Sequence, residues 1–245
     1  MRTVLLGAAV TVALYGWTAP RIQRETVPFV GCPSDGQMGP IAAPTGAPKV
    51  VELDAATARE IAYYSGDGGP AAFAPRGWYC QVSYGSSGST IFVAPAPIDS
   101  VHVPRPKTGG PAVEVEFLDG GTSGRFGVAR FASLFPRVAA TFIQEVKSRD
   151  PETASDIAWV AHDLDSVTHS DSLTAEFTTP ANQTGLGTAY NLGPSRDAIR
   201  GVAVLAPSSD WGLTILRVRL GSRMSRIESA ILKLNTQCMK KGGGC

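Results

Sequence analysis

From residue 78 to 84 the chain sets Trp78, Cys80, Val82 and Tyr84 against Tyr79, Gln81 and Ser83, the period-two pattern of a half-buried strand. Residues 89–94 supply a β-rich partner beyond Gly85-Ser86-Ser87-Gly88, which predicts a hairpin with a four-residue loop. Residues 112–118 alternate again, with Val113, Val115 and Phe117 on one face and Glu114 and Glu116 on a face expected to stay wet. Lys49–Leu53 and residues 173–178, 201–205 and 213–220 are the remaining strand candidates. Helical spacing appears in three places. Asp54 can cap a helix over residues 55–64, because its carboxylate accepts from first-turn amides that have no partner within the helix. Val138, Phe142, Ile143 and Val146 predict a helix over residues 136–148, with Pro136 in its first turn. Met224, Ile227, Ile231, Leu234 and Cys238 form one apolar stripe on a helix over residues 222–238. Three scattered helices do not alternate with strands as a doubly wound sheet requires. The expected fold class is therefore α+β, mainly antiparallel sheet with a few flanking helices, including a C-terminal amphipathic helix.

The termini change the picture of organisation. Met1 and Arg2 precede an uncharged run over residues 4–19, and Arg21 and Arg24 follow it, which is a secretory signal pattern. A helix of about 16 residues at ~1.5 Å each would reach ~24 Å, short of a ~30 Å hydrocarbon core, so a cleaved signal is favoured over a membrane span. Trp17 and Pro20 spoil the small-residue cleavage pattern, so an uncleaved N-terminal anchor is the alternative. Residues 1–19 are thus read as signal peptide or anchor, 20–48 as a Pro/Gly-rich arm or linker, and 49–245 as a single α+β domain. The expected location is extracytoplasmic, periplasmic or secreted, with membrane contact only if residues 4–19 are retained.

Composition narrows the classes further. With 43% hydrophobic and 18% charged residues the chain can build a packed core. Its 22 basic and 21 acidic side chains leave no global footprint for nucleic acid, so a charge-driven partner must use a local patch. That patch is suggested by uneven distribution: residues 150–176 hold seven acids and no Lys or Arg, while residues 217–245 hold seven bases and one acid. Arg217 and Arg219 share a strand face, and Arg223 and Arg226 recur at helical spacing, so the four are a candidate anion-binding face.

Cysteine chemistry follows from export. Cys32, Cys80, Cys238 and Cys245 are an even set in an oxidising compartment and are expected in disulfides. Lipidation of Cys32 is rejected because Arg21, Arg24 and Glu25 separate it from the apolar run. Zinc is disfavoured because the chain has no C-x-x-C pair and three histidines. Cys80 shares its strand face with Trp78 and Val82 and points into the core, where it can fasten the arm through Cys32. Cys238 and Cys245 would then pair with each other across three glycines.

Catalytic templates are poorly matched. Gly85-Ser86-Ser87-Gly88-Ser89 lacks the second glycine and the following helix of a nucleophile elbow. His162, Asp163, Asp165 and His169 concentrate possible metal ligands, but they lack the glycine and terminal Glu of a calcium loop, and the plain reading is a solvated acidic loop. No Walker loop or dinucleotide fingerprint is present, and no cofactor is expected.

The segments Ala74-Pro75-Arg76-Gly77-Trp78-Tyr79-Cys80 and Tyr84-Gly85-Ser86-Ser87-Gly88-Ser89 resemble parts of uncharacterised exported bacterial proteins. The resemblance spans thirteen residues and implies a bacterial envelope setting, with no site residue attached. Two function classes remain. The favoured one is a non-catalytic envelope domain binding an anionic polymer, lipid headgroup or protein; the alternative is a hydrolase or metal-dependent enzyme built on residues 162–171.

Overall fold

The alternating segments assemble into a mixed α+β fold around a large, mainly antiparallel sheet. It is seen in a computed structural model that describes residues 22–98, 107–138, 140–149, 151, 160, 162–188, 190–206 and 211–242. The candidate signal segment and Cys245 lie outside the described residues. In chain order the strands are β1 Gln23–Val27, β2 Phe29–Gly31, β3 Ser34–Gly36, β4 Lys49–Leu53, β5 Ile61–Ser65, β6 Ala72–Pro75, β7 Tyr79–Gly85, β8 Gly88–Ala94, β9 Ala112–Asp119, β10 Ser166–Asp171, β11 Thr174–Thr179, β12 Ile199–Ala206 and β13 Gly212–Arg219. The helices are α1 Ala55–Glu60, α2 Arg125–Phe131, α3 Ala140–Arg149 and α4 Ser225–Lys240, with 3-10 turns at Ala132–Leu134, Leu186–Thr188 and Ser222–Met224.

The large sheet has eight strands in the order β10-β11-β12-β13-β9-β8-β7-β3, antiparallel throughout except for the parallel β3–β7 pair. A three-stranded sheet, β2-β5-β6, and the β1–β4 pair accompany it. Because side chains alternate along each strand, the central strands present two different faces. On one face Val93, Val113, Val115, Val202, Leu216 and Val218 pack with α4 and the small sheet. The opposite face packs Phe177, Ala203, Leu213 and Ile215 against α2, α3 and the turn after α2.

The predicted apolar stripe seats α4: Ile227, Ile231, Leu234 and Cys238 are buried. Beside it, the buried Asn235 amide accepts from Phe73 N and donates to Phe73 O, both at 2.8 Å, so a side chain completes the backbone pairing of β6. No helix among the described residues is long and apolar enough to cross a membrane.

Several elements depart from expectation. The helix capped by Asp54 does begin at Ala55, with Asp54 Oδ1 accepting from Ala56 N and Thr57 N. It ends at Glu60, however, because Ile61, Ala62, Tyr63 and Tyr64 are all buried as a strand between β2 and β6. The arm forms β1, β2 and β3 in place of irregular chain. The β7–β8 loop is two residues, since Gly85 and Gly88 pair directly. The helix expected over 136–148 runs Ala140–Arg149, and α2 ahead of it was not foreseen. Glu114 and Glu116 do not face water: Glu114 is fully buried and Glu116 is 8% exposed.

Candidate functional site

The sheet loses its helical cover at the β10–β11 end. Ser166 and Thr168 pair with Thr178 and Glu176, which pair in turn with Arg200 and Val202, so these residues share the α4 face of the sheet. Where Val202 meets the helix that face is apolar core, and beyond it the face turns polar and opens into a groove of about 540 Å³. The far wall is a second stripe of α4, Ser229, Lys233, Thr236, Gln237 and Lys240, which recurs at helical spacing beside the apolar one.

The groove is built for a polar, negatively charged ligand. Arg200, Lys233 and Lys240 line it with one acid, Glu176, while Ser166, Thr168, Thr178, Ser229 and Thr236 add hydroxyls that donate or accept. Arg200 is paired with Glu228 at 3.1 Å and Lys240 with Asp171 at 2.7 Å. The Lys240 ammonium and the Leu173 amide hold the Asp171 carboxyl below the usual carboxylate range. Lys233 is exposed and makes no ion pair or hydrogen bond to another described residue.

The arginines of the sequence-based anion face are elsewhere. Arg217 and Arg219 are fully buried on the opposite face of β13, so they form no surface with the exposed Arg223 and Arg226, the latter paired with Glu60. Arg217 stands directly across from Glu114 in the β13–β9 register. Its Nη1 donates to Glu114 Oε1 and to Glu116 Oε2, each at 2.7 Å, and its Nε donates to Leu186 O at 3.0 Å. Burial opposes the charge of Arg217, but Glu116 and Glu114 outweigh it and hold the guanidinium above its ordinary pKa. Arg219 donates to Gly110 O, Gly193 O and Thr108 O, which fastens two loops to the sheet. Both side chains are structural clamps, Arg217 on Leu186 and Arg219 on Gly193, Gly110 and Thr108.

Burial pushes the Glu114 carboxyl above the usual carboxylate range; Arg217 lowers it and Glu116 raises it again. A carboxyl whose folded pKa is raised contributes stability below its unfolded pKa of about 4.3, and that contribution is lost as pH rises through the folded value. Glu114→Gln keeps an acceptor for Nη1 and removes a buried negative charge. Its unfolding free energy relative to wild type is therefore expected to improve as pH rises from about 4 and to level off once the folded pKa is passed, read in denaturant titrations. A flat or falling difference would show that Glu114 is not the group being protonated.

The four candidate metal ligands are not brought together. Asp165 accepts from Thr179 Oγ1 and Leu186 N, and so anchors the turn at Leu186–Thr188. His169 Nε2 lies 2.8 Å from Leu134 O, His162 Nε2 lies 3.4 Å from Ser133 Oγ, and Asp163 is exposed. Among the described residues no group of three or more His, Cys, Asp and Glu side chains is placed to hold a metal. The Ser133–His162 contact has the residue types of a hydrolytic pair, but no carboxylate orients the ring among the described residues, and neither residue lines the groove.

Segment 166–171, read from sequence as a solvated loop, is the edge strand β10 that floors the groove. The polar stripe Ser229, Lys233, Thr236 and Lys240 was legible at helical spacing but was overshadowed by the apolar stripe beside it. Comparison of the chain with protein-family models, with curated proteins and with solved structures finds no match.

Proposed function

We propose that this is a non-catalytic domain of the extracytoplasmic space that binds a linear anionic polymer in the groove between β10–β12 and α4. The carrying observation is the placement of Arg200, Lys233 and Lys240 along one open, hydroxyl-lined groove of about 540 Å³. The volume is that of an ordinary ligand site. Lys233 and Lys240 lie two turns apart on α4, about 10 Å at 1.5 Å per residue, which suits a polymer with repeating charge better than one compact anion. Arg200–Glu228 and Lys240–Asp171 are partly exposed pairs worth about 1 kcal/mol or less, so an incoming anion can take over either cation. The export pattern and the Cys32–Cys80 disulfide support the compartment, which fits an envelope polymer as partner.

Polygalacturonate, a linear polyuronate, is a suitable probe. Retention on the immobilised polymer is expected to fall with salt, and Arg200→Gln/Lys233→Gln/Lys240→Gln should weaken binding about tenfold, or roughly 1.4 kcal/mol. Arg223→Gln/Arg226→Gln, which removes the same kind of charge outside the groove, should change retention much less. Equal loss in the two variants would reduce the effect to net charge and remove the groove from the explanation.

A further inference from the structure

The turn Gly85-Ser86-Ser87-Gly88 closes one end of a second, smaller cavity, on the opposite face of the sheet from the groove. Gly88 has φ +141°, and a Cβ there would lie 1.9 Å from Phe117 O, so glycine lets β8 run hard against β9. Ser87 O accepts from Asp119 N at 3.1 Å, and the Ser86 and Ser123 hydroxyls are 3.3 Å apart, so the turn is fixed against the loop ahead of α2. The resulting cleft has a volume of about 200 Å³ and is lined in part by Ser83, Thr90 and the exposed ring of Tyr190. Glu116 is the single charged side chain among its described lining residues.

Charge decides what the cleft can hold. Glu114 and Glu116 share one nitrogen of Arg217, so neither carboxyl has that guanidinium to itself. Glu116 is the member of that cluster bordering the cleft; its Oε2 is engaged by Arg217, while Oε1 takes no hydrogen bond from a described residue. An anion placed there would meet the unengaged Oε1 of Glu116, and an apolar group would leave the lining hydroxyls without partners. A cation carrying N–H donors would be drawn to Glu116 and would donate to its Oε1 and to the hydroxyl oxygens. The volume equals that of about seven waters at ~30 Å³ each, room for a compound of about that many heavy atoms. We propose that this cleft is a second ligand site, which takes a small primary ammonium compound with Glu116 as its counterion.

Ethanolamine is the probe and ethylene glycol its neutral counterpart, each titrated into the 15N-labelled protein while amide shifts are followed. Ethanolamine is expected to give saturable shifts at Ser89, Thr90 and Glu116, with ethylene glycol at least about tenfold weaker. Thr90→Val and Tyr190→Ala leave the Glu114–Arg217–Glu116 cluster intact and should each raise the ethanolamine Kd severalfold. The triple groove variant should bind ethanolamine like wild type, so this site and the groove stand or fall separately. Equal shifts from the two probes, no saturable shift with ethanolamine, or an unchanged Kd in both cleft variants would overturn the assignment.

Discussion

Replacing Arg217 with Met is expected to cost about 3–5 kcal/mol of folding stability at neutral pH, read as a lower denaturant midpoint. The substitution keeps a long side chain over the Phe131 ring, whose centre lies 5.9 Å from the guanidinium carbon, so the loss is chiefly electrostatic. It strands Glu114, which is fully buried, and Glu116, whose side chain is 10% exposed, without their shared counterion, and it frees Leu186 O. The cost should shrink toward pH 4, where protonation relieves Glu114, whose carboxyl burial pushes up, and Glu114→Gln/Glu116→Gln/Arg217→Met should recover much of it. These two comparisons separate a charge effect from a cavity, which would be insensitive to pH and unrepaired by the carboxamides. A loss below about 1 kcal/mol at pH 7 would show that the protein accommodates the two carboxylates without the arginine.

Burial of this cluster explains why the charge pattern misled. Alternation places Leu216 and Val218 on one face of β13 and Arg217 and Arg219 on the other, but it cannot tell whether that second face is open or covered. The cover comes from remote chain, around Leu186 and Gly193, and from the helices after β9. A usable signal was present: Glu114 and Glu116 alternate with valines on an apolar strand, which calls for a buried counterion, and Arg217 on the neighbouring strand stands across from Glu114.

Legibility elsewhere tracked how much of an element's environment its own period encodes. β4 coincides with the residues read from sequence, and the α4 stripe packs as expected, because each meets the core along one clean face. β10 alternates Ser166, Thr168 and Ser170 with Val167, His169 and Asp171. It lies at the sheet edge with a polar groove on one side, so almost nothing apolar marks its strand period. The run Ile61-Ala62-Tyr63-Tyr64 is buried on both faces, and a short continuous apolar run looks alike at the end of a helix and in a covered strand. The groove needed both β10 and the polar stripe of α4, so it emerged only from tertiary structure.

The arm should fail first when its disulfide is removed. Cys32 and Cys80 are bonded, as the strand face of Cys80 indicated; Cys238 is also disulfide-bonded, and its expected partner Cys245 lies outside the described residues. The Cys32–Cys80 bond spans 48 residues of sequence, and in the chain-entropy model a closed loop of that size contributes about 4 kcal/mol. Other ties on the arm near the bond are short: β2 pairs with β5 over three residues and β3 with β7 over three, joined by the Cys32 N to Ser65 O hydrogen bond. Cys80→Ser is the cleaner test, because Cys80 is half-buried whereas Cys32 is fully enclosed. At about 2–4 °C per kcal/mol for a chain of this size, the variant should melt roughly 8–16 °C below wild type. Cys32→Ser/Cys80→Ser should melt close to Cys80→Ser, since either change opens the same loop. A melting temperature within about 2 °C of wild type would mean that strand pairing alone holds the arm; a double variant far below both singles would mean that the cysteines contribute chiefly by packing in the core.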